Sequence, residues 1–397
     1  MTHPPGDQHR RVRPDAAWRV TGHAAVRAAA KDWERYSSDL QGDRDVRTYR
    51  QLPLETDPPR HTAYREALQP LFARSALSQH HARFEKLARS LIEGLTARGG
   101  GDVVADVALP YVVGCLSIVF NRPQDYNEWL SWGPDVWAAG SFATRWVAAE
   151  PDIHGDGPYV PIRERRRSGA SLHAYLDRVL KHARLRRDDP NATGTDIWDT
   201  LAGLQVDGVT VDDQEMLGMA SVLLAGGRDT LAKLVTGIVW RLIADKRDRA
   251  YLSSHETAID SAIAELIRYF TPLPHIERKI PENAEAANGH TNQRTSAYGQ
   301  LDFASANHDP TMWTNADQID IQRRRQPHLG FGFGRHSCLG KTLAEAEATA
   351  FLRALLTPWP DWRFGADPVI DWLRVGTEER SKVIAEFRYV PVVAPHQ

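Results

Sequence analysis

Phe331-Gly332-Phe333-Gly334-Arg335-His336-Ser337-Cys338-Leu339-Gly340 runs directly into Lys341-Thr-Leu-Ala-Glu-Ala-Glu-Ala, a strong helix-forming stretch. One cysteine therefore stands between glycines just before a helix. Free backbone N–H groups and the positive end of the helix dipole favour an anion there, which would lower the cysteine pKa and hydrogen-bond its sulfur. Gly332, Gly334 and Gly340 carry no Cβ, so the backbone at those points can pass close to a flat ligand. The plainer reading of Cys338 alone is a buried thiol in a glycine-rich turn. Three other constellations bear on that choice.

Glu265 and Arg268 lie three apart in a stretch with helical apolar spacing, Ile259 to Phe270, and share one face. Pro272 and Pro274 follow as a helix exit. Leu224-Ala-Gly226-Gly227-Arg228-Asp229-Thr230 sits inside a long apolar helical pattern from Met216 to Leu242, which Thr210-Val-Asp-Asp213 opens like a capping box. Two adjacent glycines inside a helix cost about 1 kcal/mol each relative to alanine, so close approach of another group is the expected reason for them. An acid and an alcohol follow directly, and on a regular helix adjacent side chains diverge by about 100°. In Asp57-Pro-Pro-Arg-His61-Thr-Ala-Tyr-Arg65, the two prolines would start a helix on which His61 and Arg65, four apart, point the same way and suit an anion.

Taken in this order, from about His23 to the end, the motifs resemble those of the cytochromes P-450, the haem-thiolate monooxygenases, in their soluble bacterial form. The resemblance implies a mainly α fold with a small β portion, and haem b, iron protoporphyrin IX, held between the central long helix and the helix after the cysteine loop. Cys338 is then the axial thiolate, a ligand that pushes electron density toward O–O cleavage, with O2 as co-substrate. Phe331, Gly332 and Gly226 lie against the haem, and His61, Arg65, Arg278 and His336 hold its propionates. Glu265 and Arg268 join an arginine ahead of the loop, expected at Arg323 although Arg324 and Arg325 adjoin it. Asp229 and Thr230 relay protons. Ala306-Asn-His-Asp-Pro310 resembles a family segment that usually has arginine where this chain has His308.

Composition agrees with one domain spanning residues 1–397, with residues 1–17 expected to be flexible; 42% hydrophobic content can bury a large core. A net charge of −2 gives no argument for nucleic acid or a membrane, and no apolar stretch of signal or anchor length appears at the N-terminus, unlike in microsomal relatives. Two cysteines allow one disulfide at most, and none if Cys338 binds iron, which fits a cytoplasmic protein; Cys115, in an apolar run, is expected in the core. The chain is expected to be a monomer that takes electrons from a ferredoxin and its reductase, docked on a positive face carrying Arg335, with Arg60 and Arg74 as further candidates. Two departures from the family stand out: a short segment before Trp18, and a polar stretch between Lys279 and Leu301 where relatives have a turn.

The resemblance draws the substrate pocket from Asp45 to Leu52, Trp137 to Arg167, Leu223 to Gly227 and Leu273 to Ile276. His275, Leu273 and Leu223 are the candidate substrate contacts, and His275 is the polar residue most expected to face a substrate. Trp129, Trp132, Trp137, Phe142, Trp146 and Tyr159 are read first as core, and Arg163, Arg165, Arg166 and Arg167 first as a solvated helix face. The expected reaction is hydroxylation or epoxidation of a small organic or natural-product substrate. Oxidative coupling of aromatic rings in a peptide or other natural product is the alternative. A haem sensor or electron carrier is the remote one, since it has no use for an acid and alcohol over the iron.

Overall fold

A computed structural model describes residues 18–39, 49–132, 162–187, 189, 195–279, 298–374 and 382–395. The principal helices are α1 (His23–Lys31), α2 (Arg60–Leu68), α3 (His81–Ala97), α4 (Leu109–Val119), α5 (Ile162–Arg187), α6 (Ile197–Ala202), α7 (Asp213–Gly226), α8 (Asp229–Ala244), α9 (Lys246–Ser254), α10 (Ile259–Phe270) and α11 (Lys341–Leu356). The strands are β1 (Trp18–Val20), β2 (Gly100–Asp102), β3 (Gln205–Val206), β4 (Val209–Thr210), β5 (His275–Lys279), β6 (Tyr298–Asp302), β7 (Arg363–Phe364), β8 (Val369–Arg374), β9 (Lys382–Tyr389) and β10 (Pro391–Val393). They form small sheets: β1 pairs parallel with β6, which pairs antiparallel with β5; β10 lies between β2 and β7; β3–β4 and β8–β9 are two-stranded. The architecture is therefore mainly α with a small β portion, as the motifs imply.

The core lies between α3, α4, α8, α10 and α11. On α10 the apolar residues recur with helical period, and Ile259, Ile263, Leu266, Ile267 and Phe270 are all buried against α8 and α11. Burying side chains of this size stabilises by roughly 1.5–3 kcal/mol each. A second apolar cluster joins α5, α6 and α7, and here Trp129 is core: its ring meets Phe120 at 6.1 Å and Tyr175 at 6.0 Å. The positions Trp137, Phe142, Trp146 and Tyr159, the side chains of Arg163, Arg165, Arg166 and Arg167, the start of the Asp45–Leu52 segment, residues 1–17 and the polar stretch 280–297 lie outside the described residues.

Two sequence expectations need correction. The long apolar pattern from Met216 to Leu242 is two helices, because α7 ends at Gly226 and α8 begins at Asp229. The capping box that opens α7 lies two residues later than expected: Asp212 Oδ1 accepts from the Glu215 N–H at 2.8 Å, and Glu215 Oε2 accepts from the Asp212 N–H at 3.0 Å. Asp212 adopts extended backbone whereas Thr210 still belongs to β4, so only Asp212 can cap.

Candidate active site

The loop before α11 closes on itself when the Cys338 N–H donates to the Phe331 carbonyl at 2.8 Å. Gly332 and Gly334 have φ of 67° and 73°, the left-handed region that glycine enters without strain. At Gly334 a side chain would also strike α1, since a Cβ would sit 2.5 Å from the Ala30 carbonyl oxygen. Protein surrounds Cys338 closely, yet its side chain keeps accessible surface, because it faces a cavity of about 250 Å3. Burial pushes the thiol above its ordinary value, and the Gly340 N–H with the Arg65 and Lys341 charges pulls it back. The expected lowering is thus outweighed among the chain's own groups: the backbone N–H acts in the expected direction, but desolvation is larger.

Four polar residues form one corner of the same cavity. The His61 and His336 rings lie 4.1 Å apart between centroids, tilted by 49°, and His61 Nδ1, His61 Nε2 and His336 Nε2 are buried without a hydrogen-bond partner among the described residues. Burial, with Arg65, Arg335 and Arg278 nearby, draws His61 down to about 4. Arg65 and Arg278 also line the cavity; Arg65 donates to the Ser337 carbonyl at 2.6 Å and Arg278 to that of Glu277 at 2.8 Å. Two guanidinium groups beside orphaned imidazoles suit a doubly anionic group. The geometry therefore fits haem: a thiol on one wall, a cationic corner, and a glycine wall at Gly226, where a Cβ would meet nothing within 4 Å.

The break between α7 and α8 shapes the remaining wall. Both glycines line the cavity: a Cβ on Gly227 would lie 3.2 Å from Leu116 Cδ2 of α4, while one on Gly226 would meet nothing within 4 Å. Thr230 lines the cavity, and its hydroxyl donates to the Gly226 carbonyl at 3.2 Å. Asp229 is not part of the lining. Its side chain is 58% exposed and pairs with Arg228 at 2.5 Å. The two residues are adjacent but point to different sides of the helix.

Among the candidate substrate contacts, Leu223 and Leu273 line the cavity but His275 does not. The expectation for His275 is corrected by strand geometry: Ile276 and Arg278 on β5 face the cavity, and successive strand residues point to opposite faces. Sequence reasoning missed Glu347 on α11, which lines the cavity and whose carboxyl burial pushes well up. It also sits at helical spacing with Leu343, but it lies in a run of alternating Glu and Ala that reads as a solvated face.

Glu265 and Arg268 are buried and paired at 2.7 Å, and Arg323 reaches Glu265 at 3.1 Å. Arg268 also donates to the carbonyls of Asn307 and Ala316 at 2.7 Å each, so this cluster fastens α10 to the segment ahead of the cysteine loop. The ion pair falls to Arg323; Arg325 instead pairs with Glu345. His308 is half-buried against Tyr269, ring centroids 5.4 Å apart, and shares a hydrogen bond with the Ala304 carbonyl at 3.0 Å. Of the cations expected on the docking face, Arg335, Arg74 and Arg60 are all exposed, and Arg60 also pairs with Glu215 at 2.5 Å. No helix among the described residues is long and apolar enough to cross a membrane.

Residues 253–359 match the family model described as Cytochrome P450. The chain is similar to the cytochrome P450 monooxygenase PikC of Streptomyces venezuelae, 26% identical over 91% of this chain and 83% of that protein. It is also similar to the cyclomarin C epoxidase CymV of Salinispora arenicola, 29% identical over 85% of this chain and 82% of that protein. Among solved structures, one titled as a carbohydrate active P450 superposes with a TM-score of 0.78 at 24% identity, over 95% of this chain and 91% of the other.

Proposed function

The chain belongs to the cytochrome P450 superfamily and is a monooxygenase, and we propose that it hydroxylates or epoxidises a small organic or natural-product substrate. The observation that carries this reading is that Cys338, on the loop before α11, and Thr230, in the first turn of α8, line one cavity whose other walls are mainly apolar. Haem b, bound there, supplies activation of O2 to an oxidant able to attack C–H and C=C bonds.

The chain's own residues do the rest. Cys338 gives its thiolate to the iron, and Arg65, Arg278, His61 and His336 neutralise and orient the propionates. Phe331, Gly332 and Gly226 leave room for the flat ring. Thr230 carries a proton at its hydroxyl to the cavity, and Asp229, on the other side of α8, replenishes it. Leu223 and Leu273 exclude water and hold an apolar part of the substrate. Electrons come from a ferredoxin and its reductase, which meet the exposed Arg335 and Arg74; the protein works as a cytoplasmic monomer.

A spectral-shift screen of small aromatics, terpenoids, macrolides and short peptides identifies the substrate class, and product mass identifies the reaction. A product heavier by one oxygen supports oxygen insertion. A product lighter by two hydrogens, with no oxygen gained, overturns it in favour of aromatic coupling.

A further inference from the structure

Gly218 is buried in the interior of α7, a place where glycine is a poor helix former. What it meets accounts for it: a Cβ there would overlap the Arg50 carbonyl oxygen and lie 3.5 Å from Leu52 Cγ. The obstacle is backbone, which cannot swing aside as the end of a side chain can. The strap 49–55 therefore crosses α7 at a distance that only glycine permits. One turn along the same helix face, the Ser221 hydroxyl accepts from the Tyr49 hydroxyl at 3.0 Å in a buried bond. Val222, one turn from Gly218, already lines the cavity.

The strap is closed by its own hydrogen bonds. Glu55 Oε2 accepts from the Gln51 N–H at 2.9 Å, the Glu55 N–H donates to the Gln51 carbonyl at 2.8 Å, and Arg50 donates to the Glu55 carbonyl at 3.2 Å. Gln51 and Glu55 are both buried, so these bonds tie Arg50 and Leu54 to move together. Pro53 and Leu54 line the cavity. Tyr49, Arg50, Leu52 and Thr56 line a separate polar cleft of about 460 Å3, with Asp212 and Gln214 exposed at its rim. The strap is thus a partition between an apolar chamber and a surface cleft.

Resting on the monooxygenase reading, we propose that Gly218, Ser221 and Tyr49 are positioning residues that fix the size of the substrate chamber. The missing side chain at 218 sets how near the strap comes to α7, the hydroxyl bond holds it there, and Pro53 and Leu54 stand as a chamber wall in consequence. None of the three lines the cavity itself. Protein interiors are close-packed, so a methyl group at 218 has to displace the strap, and the internal bonds carry Pro53 and Leu54 with it. The displacement is away from α7, which widens the chamber between Leu54 and Val222. A tight seat suits a compact apolar substrate, because the same cavity has to hold both haem and substrate.

The test uses the holoenzyme and two ligands of the haem iron, imidazole and 4-phenylimidazole, titrated by their spectral shifts. Gly218→Ala is expected to move the ratio of the two dissociation constants several-fold in favour of the larger ligand, while imidazole affinity holds. Tyr49→Phe and Ser221→Ala each remove one hydroxyl at nearly constant volume and should move the ratio the same way by less. Their double variant should move it by less than the sum of the two, since the hydroxyls share a bond. These variants carry the test should Gly218→Ala fail to fold. A general loss of stability lowers haem content but leaves the ratio where it was. Folded variants that keep the wild-type ratio, or change it in favour of imidazole, overturn the proposal. A wild type that lacks the thiolate carbon monoxide band overturns the functional reading instead; a normal band with unmoved ratios overturns only the seat on α7.

Discussion

Thr230 spans the break between α7 and α8, its hydroxyl donating to the carbonyl of Gly226 four residues back. Gly226 ends one helix, Thr230 lies in the first turn of the next, and both line the cavity. The bond anchors the hydroxyl without burying it.

Replacing Thr230 with alanine removes that hydroxyl and little else, so the haem spectrum and substrate affinity should stay near wild type while reducing equivalents go to peroxide. Asp229→Asn should slow turnover more severely. Oxygen consumed per product, measured for both variants, checks this; full coupling in Thr230→Ala would mean that substrate or water supplies the protons.

Cys338→His should abolish the red-shifted Soret band of the reduced carbon monoxide complex while far-ultraviolet circular dichroism remains helical, because α11 starts three residues later and is packed by its own apolar face. A variant that keeps the band would rule out Cys338 as the ligand.

Gly237 sits in the interior of α8, where alanine ordinarily gains about 1 kcal/mol. Here a Cβ would fall 2.5 Å from Cε2 of Phe270, itself buried and pinned by Trp240 and Phe387. Overpacking costs about 1–3 kcal/mol, so Gly237→Ala should be net destabilising, with a lower urea midpoint. A raised midpoint would show that Phe270 moves freely.

Arg268→Ala strips Glu265 of its buried partner and leaves the carbonyls of Asn307, Ala316 and Gln318 without their donor. Breaking such a pair costs about 3–5 kcal/mol, which denaturant unfolding will register. Arg323→Ala, at a more accessible partner, should cost less.

Glu347 should make the protein less stable as pH rises. Burial raises its folded pKa well above the unfolded value, so its contribution is full below about pH 4.3 and is lost as pH climbs through the folded value. Glu347→Gln removes that loss: relative to wild type it should be no more stable at pH 4 and more stable at pH 8, read from paired unfolding curves.

Legibility of this molecule in its sequence followed periodicity and punctuation. Helix α11 begins at Lys341, where the helix-forming stretch follows the cysteine loop, because its spacing is unbroken from that residue. The split at Gly227 was marked by its glycines but not its extent: both line the cavity, and only the packing of Leu116 shows that Gly227 also lies close against α4. His275 misled because a polar residue among apolar ones suggests a pocket, while the strand's alternation turns it away. Lys233 and Glu347 were silent, since a charge in a helix reads as surface until tertiary packing buries it.

Lys279 and Tyr298 are partners in the β5–β6 ladder, so the polar segment between them leaves and re-enters the sheet at a single rung. A chain tethered this way pays little for extra length: each doubling of a loop adds only about 0.6 kcal/mol of closure entropy. The rungs that carry Arg278 and Ile276 toward the cavity are already zipped on the near side of that tether. The length of the chain between Lys279 and Tyr298 therefore bears only weakly on the pairing that places Arg278 and Ile276 at the cavity.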